Sequence, residues 1–350
     1  MGLFDRIKEM CGLGARPRHA LALAGGGVIG GMWEVGALTA LEERLGPSAF
    51  DVYVGCSAGS VVASVLAGGV PAVAMYRAID EDRDDPLNFR RGAVYESDSL
   101  REALFRFGRL VWAVGKSAVQ GRESVPDILA RAERDMPSGF FSLDALERHM
   151  RNGYAAYGLS NAFTQRPRRL LIPAVELDTA ERVVFGQGRL ANVPISQAVA
   201  ASSAIPGFFD PYAINGRDYV DGGVGWSGHA DLAAETGAEI VLVVNPLVPT
   251  RPGGGDHLRA RGVYSIMEQA GRIASQNLLR LGLDILAERH PRTTFFLLQP
   301  PMASPTSGPS MGFDAARASL RSGYESTRAW LLGDGGEMLE RFAPDDALAG

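Results

Sequence analysis

Twice within its first 70 residues the chain passes from a short apolar run into a glycine-rich turn and then into a helical pattern. Ala20–Ala24 is a strand candidate that ends in Gly25-Gly26-Gly27, and from Trp33 to Leu41 apolar residues recur at helical spacing. Phe50–Val54 is a second strand candidate, followed by a tight turn at Cys56-Ser57-Ala58 and a helix of small residues running to Leu66. Small side chains on that helix allow it to lie close against a sheet. Two consecutive strand–helix units predict parallel α/β architecture.

Sheet character returns at Arg169–Val175, Arg182–Phe185, Glu239–Val244 and Phe295–Leu298. Val263–Leu286 is a long amphipathic helical pattern, and Ala316–Phe342 reads as a terminal helix. From about Arg77 to Pro167 the chain is charge-rich, with helix-like pieces at Ser99–Val114, Val125–Arg134 and Leu143–Arg151. These fit either a helical cap or insertion that shapes access to a site, or ordinary helices packed around the sheet. Pro249–Gly255 and Pro300–Gly312 read as surface loops. The division that follows is an N-terminal extension at 1–18, a core at 19–245 containing the cap at about 77–167, and a region at 246–350 that packs on or completes the core.

Composition removes several classes of function. Charged residues are 21% and apolar residues 46% of the chain, the balance of a globular protein, and a net charge of −5 argues against nucleic acid as a partner. Two cysteines, Cys11 and Cys56, do not make a disulfide scaffold and suit a reducing compartment. The basic residues of 1–20 lead into a glycine-rich run interrupted by Glu34, not into a secretion signal, so a cytoplasmic location is expected. Arg6 spoils the N-myristoylation pattern that Gly2 would open. The uncharged run Val52–Tyr76 is long enough to cross a bilayer, but Gly68-Gly69 and Pro71 suit a buried strand, turn and helix better. Gly2–Cys11 sets Leu3, Phe4, Ile7 and Met10 beside Arg6 and Lys8, a pattern for peripheral contact with a membrane surface, for a disordered tail or for a helix packed on the domain.

Gly55-Cys56-Ser57-Ala58-Gly59 matches G-x-S-x-G. A serine at a sharp strand-to-helix turn projects its hydroxyl above the sheet, flanking glycines permit close backbone approach, and the unpaired amides that open the next helix can face negative charge. Gly25-Gly26-Gly27-Val28-Ile29-Gly30-Gly31 supports three readings. It fits the G-x-G-x-x-G of a dinucleotide site, although no acid closes the next strand. Its Gly26, Gly27 and Val28 amides suit an oxyanion hole beside Ser57, and its glycines also suit plain helix–sheet packing. Tyr219-Val220-Asp221-Gly222-Gly223 places an acid after a short apolar piece, either a carboxylate fixed at a sheet edge or a turn-forming Asp-Gly pair.

Taken together, Gly25-Gly26-Gly27-Val28-Ile29-Gly30, Gly55-Cys56-Ser57-Ala58-Gly59, Asp221-Gly222-Gly223 and the stretch Ala201-Ser202-Ser203-Ala204-Ile205-Pro206-Gly207-Phe208-Phe209 resemble the patatin-like phospholipase family (PNPLA-domain proteins) in type and order, over roughly residues 20–245. The resemblance implies a three-layer α/β/α fold with a mostly parallel central sheet. It implies hydrolysis of lipid acyl esters through an acyl-enzyme, phospholipid or lysophospholipid included, with Ser57 as nucleophile and Asp221 as dyad partner. By the same resemblance the glycine run, aided by the Ala58 amide, forms the oxyanion hole, and neither cofactor nor metal is needed. Two departures bear on substrate class: Ile29 stands where the family has Arg or Lys, and Val224–His229 replaces an Asn/Pro-containing continuation.

Other outcomes stay open at this level, among them a thioesterase, a small-ester esterase and a lipid-binding module that keeps the fold without the chemistry. Chain order alone also permits a histidine base, since His229, His257 and His290 follow Asp221. The resemblance assigns that task to the carboxylate and predicts that no histidine serves.

Overall fold

A computed structural model of the chain describes residues 18–95, 105, 108, 138–226, 228–251, 257–301 and 310–342. In chain order the elements are β1 (His19–Leu23), α1 (Gly27–Leu45), β2 (Val52–Gly55), α2 (Ala58–Leu66), α3 (Ala72–Asp80), α4 (Arg91–Val94) and α5 (Asp144–Ala156). They continue with β3 (Arg169–Glu176), β4 (Glu181–Phe185), α6 (Ile195–Ser202), β5 (Tyr212–Ile214), β6 (Arg217–Asp221) and α7 (Ala230–Ala234). The last are β7 (Ile240–Val244), α8 (Val263–Arg289), β8 (Thr294–Leu298), α9 (Ala316–Leu331) and α10 (Gly336–Phe342).

Five parallel strands in the order β3-β2-β1-β7-β8 form the body of the sheet, and β6, β5 and β4 join antiparallel at the β3 end. The inner strands read as near-continuous apolar runs because both faces of a parallel sheet are covered. Alternate residues divide between those faces. Leu21, Leu23, Tyr53, Leu242 and Val244 pack with α1, α2, α3, α6 and α9, while Ala20, Ala22, Val52, Val54, Val241 and Val243 pack with α7 and α8. The result is the expected three-layer α/β/α arrangement.

One stretch of β3 organises the functional end. β2 pairs with Arg169–Leu171, β6 pairs antiparallel with Ala174–Glu176, and the two strands therefore run toward each other. Between the two registers lies Pro173, which has no N–H to offer a neighbouring strand. The residues that follow the C-terminal ends of β2 and β6 are thus delivered to one place.

Several expectations shift in detail. The first helix begins at Gly27 instead of near Trp33, because the Gly30 N–H already closes a helical bond to Gly26 O at 2.9 Å. No Ser, Thr, Asp or Asn cap marks that boundary in the sequence, so apolar spacing placed it too late. The single terminal helix Ala316–Phe342 is two, α9 and α10, broken where Gly333 and Gly335 end the first. Leu143–Arg151 falls within α5. The pieces Ser99–Val114 (apart from helical Phe105 and Gly108) and Val125–Arg134, the segment Gly2–Cys11, and most of both glycine–proline loops lie outside the described residues. Val52–Tyr76 is strand and two short helices, and among the described residues no helix is long and apolar enough to cross a membrane.

The helices α1 and α9 meet backbone to backbone. A Cβ at Gly36 would stand 1.9 Å from Leu320 O, and one at Gly323 would stand 2.1 Å from Trp33 O. Gly36→Val is therefore expected to push the helices apart and destabilise the protein by about 3 kcal/mol or more, at or above the usual cost of overpacking. Urea unfolding followed by circular dichroism measures it; an unchanged midpoint would show that the contact is not tight.

Candidate active site

Ser57 lies between the last residue of β2 and the first of α2, with φ 54° and ψ −129°. A non-glycine residue at positive φ is strained and persists only where its surroundings hold it. The holding bonds are explicit. The Ser57 N–H donates to Ser202 Oγ at 3.0 Å, the Ser202 hydroxyl donates to Pro173 O at 2.6 Å, and the Ser60 hydroxyl donates to Ser57 O at 2.6 Å. Gly59 lets the turn seat itself on β1, since a Cβ there would come within 2.6 Å of both Leu23 O and Ala24 O.

Asp221 closes β6 from the opposite direction. Its Oδ1 accepts the Gly223 N–H at 2.8 Å and the Cys56 thiol at 3.7 Å, and the Ser57 side chain stands near enough to favour the charged carboxylate. Ser57 is 5% and Asp221 6% exposed. Burial pushes the Asp221 carboxyl up to about 6, and the neighbouring Ser57 hydroxyl, Gly223 amide and Cys56 thiol pull against that rise. At neutral pH the group is then largely ionised yet far more basic than a surface aspartate, a setting suited to taking a hydroxyl proton. The Cys56 thiol, fully buried, is pushed well up by burial and then by Asp221, so it stays protonated.

The glycine run packs against this pair. A Cβ on Gly25 would stand 2.8 Å from Ser57 Cβ, so the run can approach the serine only as glycine. The Ile29 N–H donates to Ser310 O at 3.0 Å, and helix geometry leaves the Gly27 and Val28 amides outside the α1 ladder, as it leaves Ala58 at the start of α2. Gly27, Val28, Ala58 and Ser57 line one cavity, about 650 Å³ with its open mouth included. Gly26 does not line it: it caps α1, with Pro246 behind it. The remaining wall is apolar apart from Ser203, and includes Met75, Ile79, Leu143, Phe209, Met311 and Phe313.

Some of this the sequence did not announce. Ser202 and Pro173 are held in hydrogen-bond geometry under the serine although neither stands in a glycine motif. Met311 and Phe313 come from the C-terminal region, beyond the stretch that the resemblance covers. Ile29 is buried, its carbonyl accepting the Ser319 hydroxyl at 2.8 Å, so the position where the family has a cation faces the core here. Among the described residues no group of three or more His, Cys, Asp or Glu side chains forms a metal-binding cluster.

No histidine lines the cavity that Ser57 faces. His229 is wholly buried, with Nε2 3.2 Å from Gly222 O and Nδ1 3.4 Å from Arg182, and burial lowers it to about 4. His19 bonds Ala49 O and His149 bonds Pro86 O.

The profile of the patatin-like phospholipase family matches residues 21–229, more than half the chain and all of the elements just described up to His229. The chain belongs to that family. Among solved structures it is similar to VipD from Legionella pneumophila, at 16% identity and a TM-score of 0.40, over 91% of this chain and 67% of that one. It is also similar to ExoU of Pseudomonas aeruginosa, solved with SpcU, at 15% identity and a TM-score of 0.40, over 94% of this chain and 53% of that one. The chain thus spans about half the length of ExoU.

In this patatin-like site the buried acid carries a stability cost of definite sign. A carboxyl whose folded value is raised favours the fold while protonated, and that contribution is lost as pH rises through about 6. Asp221→Asn is therefore expected to melt at or above the wild-type temperature at pH 8, an advantage of at most about 3 kcal/mol that shrinks toward pH 4. Calorimetry across that range tests it; a variant less stable at pH 8 than at pH 4, relative to wild type, would mean the charge itself holds the turn.

Proposed function

We propose that the protein hydrolyses carboxylic esters of lipids, phospholipid or lysophospholipid, with Ser57 as nucleophile and Asp221 as its base. The reading rests on Ser57, on the wall of an otherwise apolar cavity, standing beside a buried, weakly acidic Asp221 whose acidity it influences. Family membership supports the same chemistry. In the first half-reaction Ser57 Oγ attacks the ester carbonyl carbon as its proton passes to Asp221. The tetrahedral oxyanion is met by backbone amides of Gly27, Val28 and Ala58, with Gly26 setting the loop. The C–O bond to the alcohol then breaks, and the alcohol leaves with the proton from Asp221. A water gives its proton to Asp221 and its oxygen to the acyl carbon, and the departing Ser57 recovers that proton as the free acid is released.

The acyl chain would lie along Met75, Ile79, Leu143 and Phe209. Contact with a lipid surface is read from exposed Val263, Ile266 and Met267 at the start of α8, where Tyr264 packs against Phe208 beside the pocket residue Phe209.

Ser57→Ala is expected to abolish turnover on a panel of phospholipids, lysophospholipids, acylglycerols and acyl-CoA, and to abolish fluorophosphonate labelling, with the fold unchanged by circular dichroism. Labelling without turnover on any ester would favour a lipid-binding module; turnover confined to acyl-CoA would favour a thioesterase. The wild-type rate should fall as pH drops through about 6, because a protonated Asp221 cannot accept the serine proton. A rate that is flat from pH 7 to pH 5 would remove Asp221 from the role.

Gly27 stands at φ +62°, with Ser310 O 2.7 Å from the Cβ it lacks. Gly27→Ala should therefore re-aim the loop amides and lower kcat by about 10²-fold while KM changes little, since these donors act mainly on the transition state. A change in KM alone would identify a binding loop.

A further inference from the structure

Behind the Asp221 turn lies a chain of polar groups, running from the buried His229 out to the exposed Arg182, that the proposed chemistry does not use. The His229 ring is 0% exposed, and Nε2 lies 3.2 Å from the carbonyl oxygen of Gly222, the residue after Asp221. Its Nδ1 lies 3.4 Å from Arg182 Nη1 on β4, and Arg182 Nη2 is 2.6 Å from Asp231 Oδ2 at the start of α7. A guanidinium can only donate, so Nδ1 must accept, and the ring proton is fixed on Nε2, where it donates to Gly222 O. His229 itself stands at φ 41°, directly after Gly228 at φ 90°. Two successive residues at positive φ turn the imidazole inward at a conformational cost that the side chain's bonds offset.

We propose that His229, oriented by Arg182 and Asp231, is a positioning residue that fixes the Asp221-Gly222-Gly223 turn and so holds the Asp221 carboxylate in register with Ser57. The proposal rests on the reading of Asp221 as the base. The turn has two anchors. On the inner side the Gly223 N–H is held by Asp221 Oδ1 at 2.8 Å, and on the outer side Gly222 O is held by His229. Gly222 packs directly on Pro173 O and Cys56 Sγ, so a shift of its peptide displaces the carboxylate and the thiol together. Gly222 O also accepts the Gly225 N–H at 3.2 Å, inside the same short turn, so the imidazole is the donor that ties this carbonyl to the residues leading into α7, and its loss frees the turn to shift.

The arrangement also explains why β4 leaves the main path of the sheet. Pairing with β3 at Ile172–Glu176 places Arg182 opposite Val175, two residues beyond Pro173, within reach of the ring. The charged and titratable groups facing His229 are Arg182 from β4 and Asp231 from α7, while Cys56 and Ser57 face Asp221. None of them gives His229 a path to the serine, so its effect must pass through the turn.

The test compares His229→Gln, His229→Leu and Arg182→Met with wild type in full-length protein. Gln can donate to Gly222 O and accept from Arg182; Leu fills similar space and does neither. His229→Leu is expected to lower kcat by about 10- to 100-fold with little change in KM, the cost of a misplaced catalytic group. Its acid limb should move upward by about half a pH unit or more, because a loosened Gly223 amide no longer favours the charged carboxylate. His229→Gln should recover to within about threefold of wild type, and Arg182→Met should fall in the same direction by about three- to tenfold. Melting temperatures are recorded for all three. A folded His229→Leu protein with wild-type kcat and acid limb overturns the proposal, as does a His229→Gln protein as impaired as His229→Leu. Should His229→Leu fail to fold, Arg182→Met and His229→Gln decide it: an Arg182→Met protein with wild-type kcat and acid limb overturns it. Wild-type protein that shows no Ser57-dependent hydrolysis or labelling would instead overturn the underlying dyad, a result separable from any variant's behaviour.

Discussion

The site depends on how β3 shares its length between partners. A strand that paired with β2 along its whole course would leave no room for a second strand to arrive from the other direction. Here β2 stops at Leu171, β6 stops at Ala174, and Pro173 occupies the interval. The opposed strands bring Ser57 and Asp221 together although 164 residues separate them in the chain, and neither side chain needs a long or flexible reach. The Pro173 carbonyl is then used twice, as the acceptor for Ser202 beneath the serine and as the surface on which Gly222 rests. One peptide carbonyl thus sets the height of the nucleophile turn and of the acid turn against a common reference.

Much of this was legible in the residues, and the reasons differ element by element. The parallel core was readable because fully covered strands are uninterrupted apolar runs, and β1, β2, β7 and β8 were placed within one or two residues of their ends. The helix after Ser57 was readable because the elbow geometry dictates where it must start. β5 was not, being three residues of an edge hairpin whose pairing with β6 is set by tertiary position. In the site, Ser57 and Asp221 stand in motifs whose glycines exist to let backbones touch, so the chemistry leaves a mark in the sequence. Pro173, Met311 and Phe313 leave none, and Ser202 stands in a matched stretch that does not show its place under the serine. Each acts through where the fold carries it, and a hydroxyl, an imino ring or an apolar side chain has many ordinary uses elsewhere. Gly26 differs from its motif neighbours: the helix begins one residue after it, and it is not among the residues that line the cavity.

Burial does two jobs at this site that pull against each other. It raises Asp221 toward neutrality, which strengthens it for the proposed role of base, and it costs the fold stability whenever the carboxyl is ionised. The Gly223 amide, the Cys56 thiol and the nearby Ser57 hydroxyl favour the charged form against burial, and the balance falls near pH 6. Cys56 matters here. Its thiol is a weak donor that cannot itself lose a proton in so buried a place, so it supports the charge on Asp221 without competing for the role of nucleophile.

The same reasoning separates the two ways a histidine can serve such a site. A general base must reach the hydroxyl proton and must titrate near the working pH. His229 satisfies neither condition: one nitrogen is spent on Gly222, the other faces a guanidinium, and burial together with that positive charge holds it down to about 4. These features make it useful for geometry, because a ring that keeps one protonation state across the working range keeps one hydrogen-bonding pattern. In the proposed mechanism the proton chemistry belongs to a carboxylate whose own environment places it near 6, and the imidazole's proposed contribution is a fixed carbonyl one residue away.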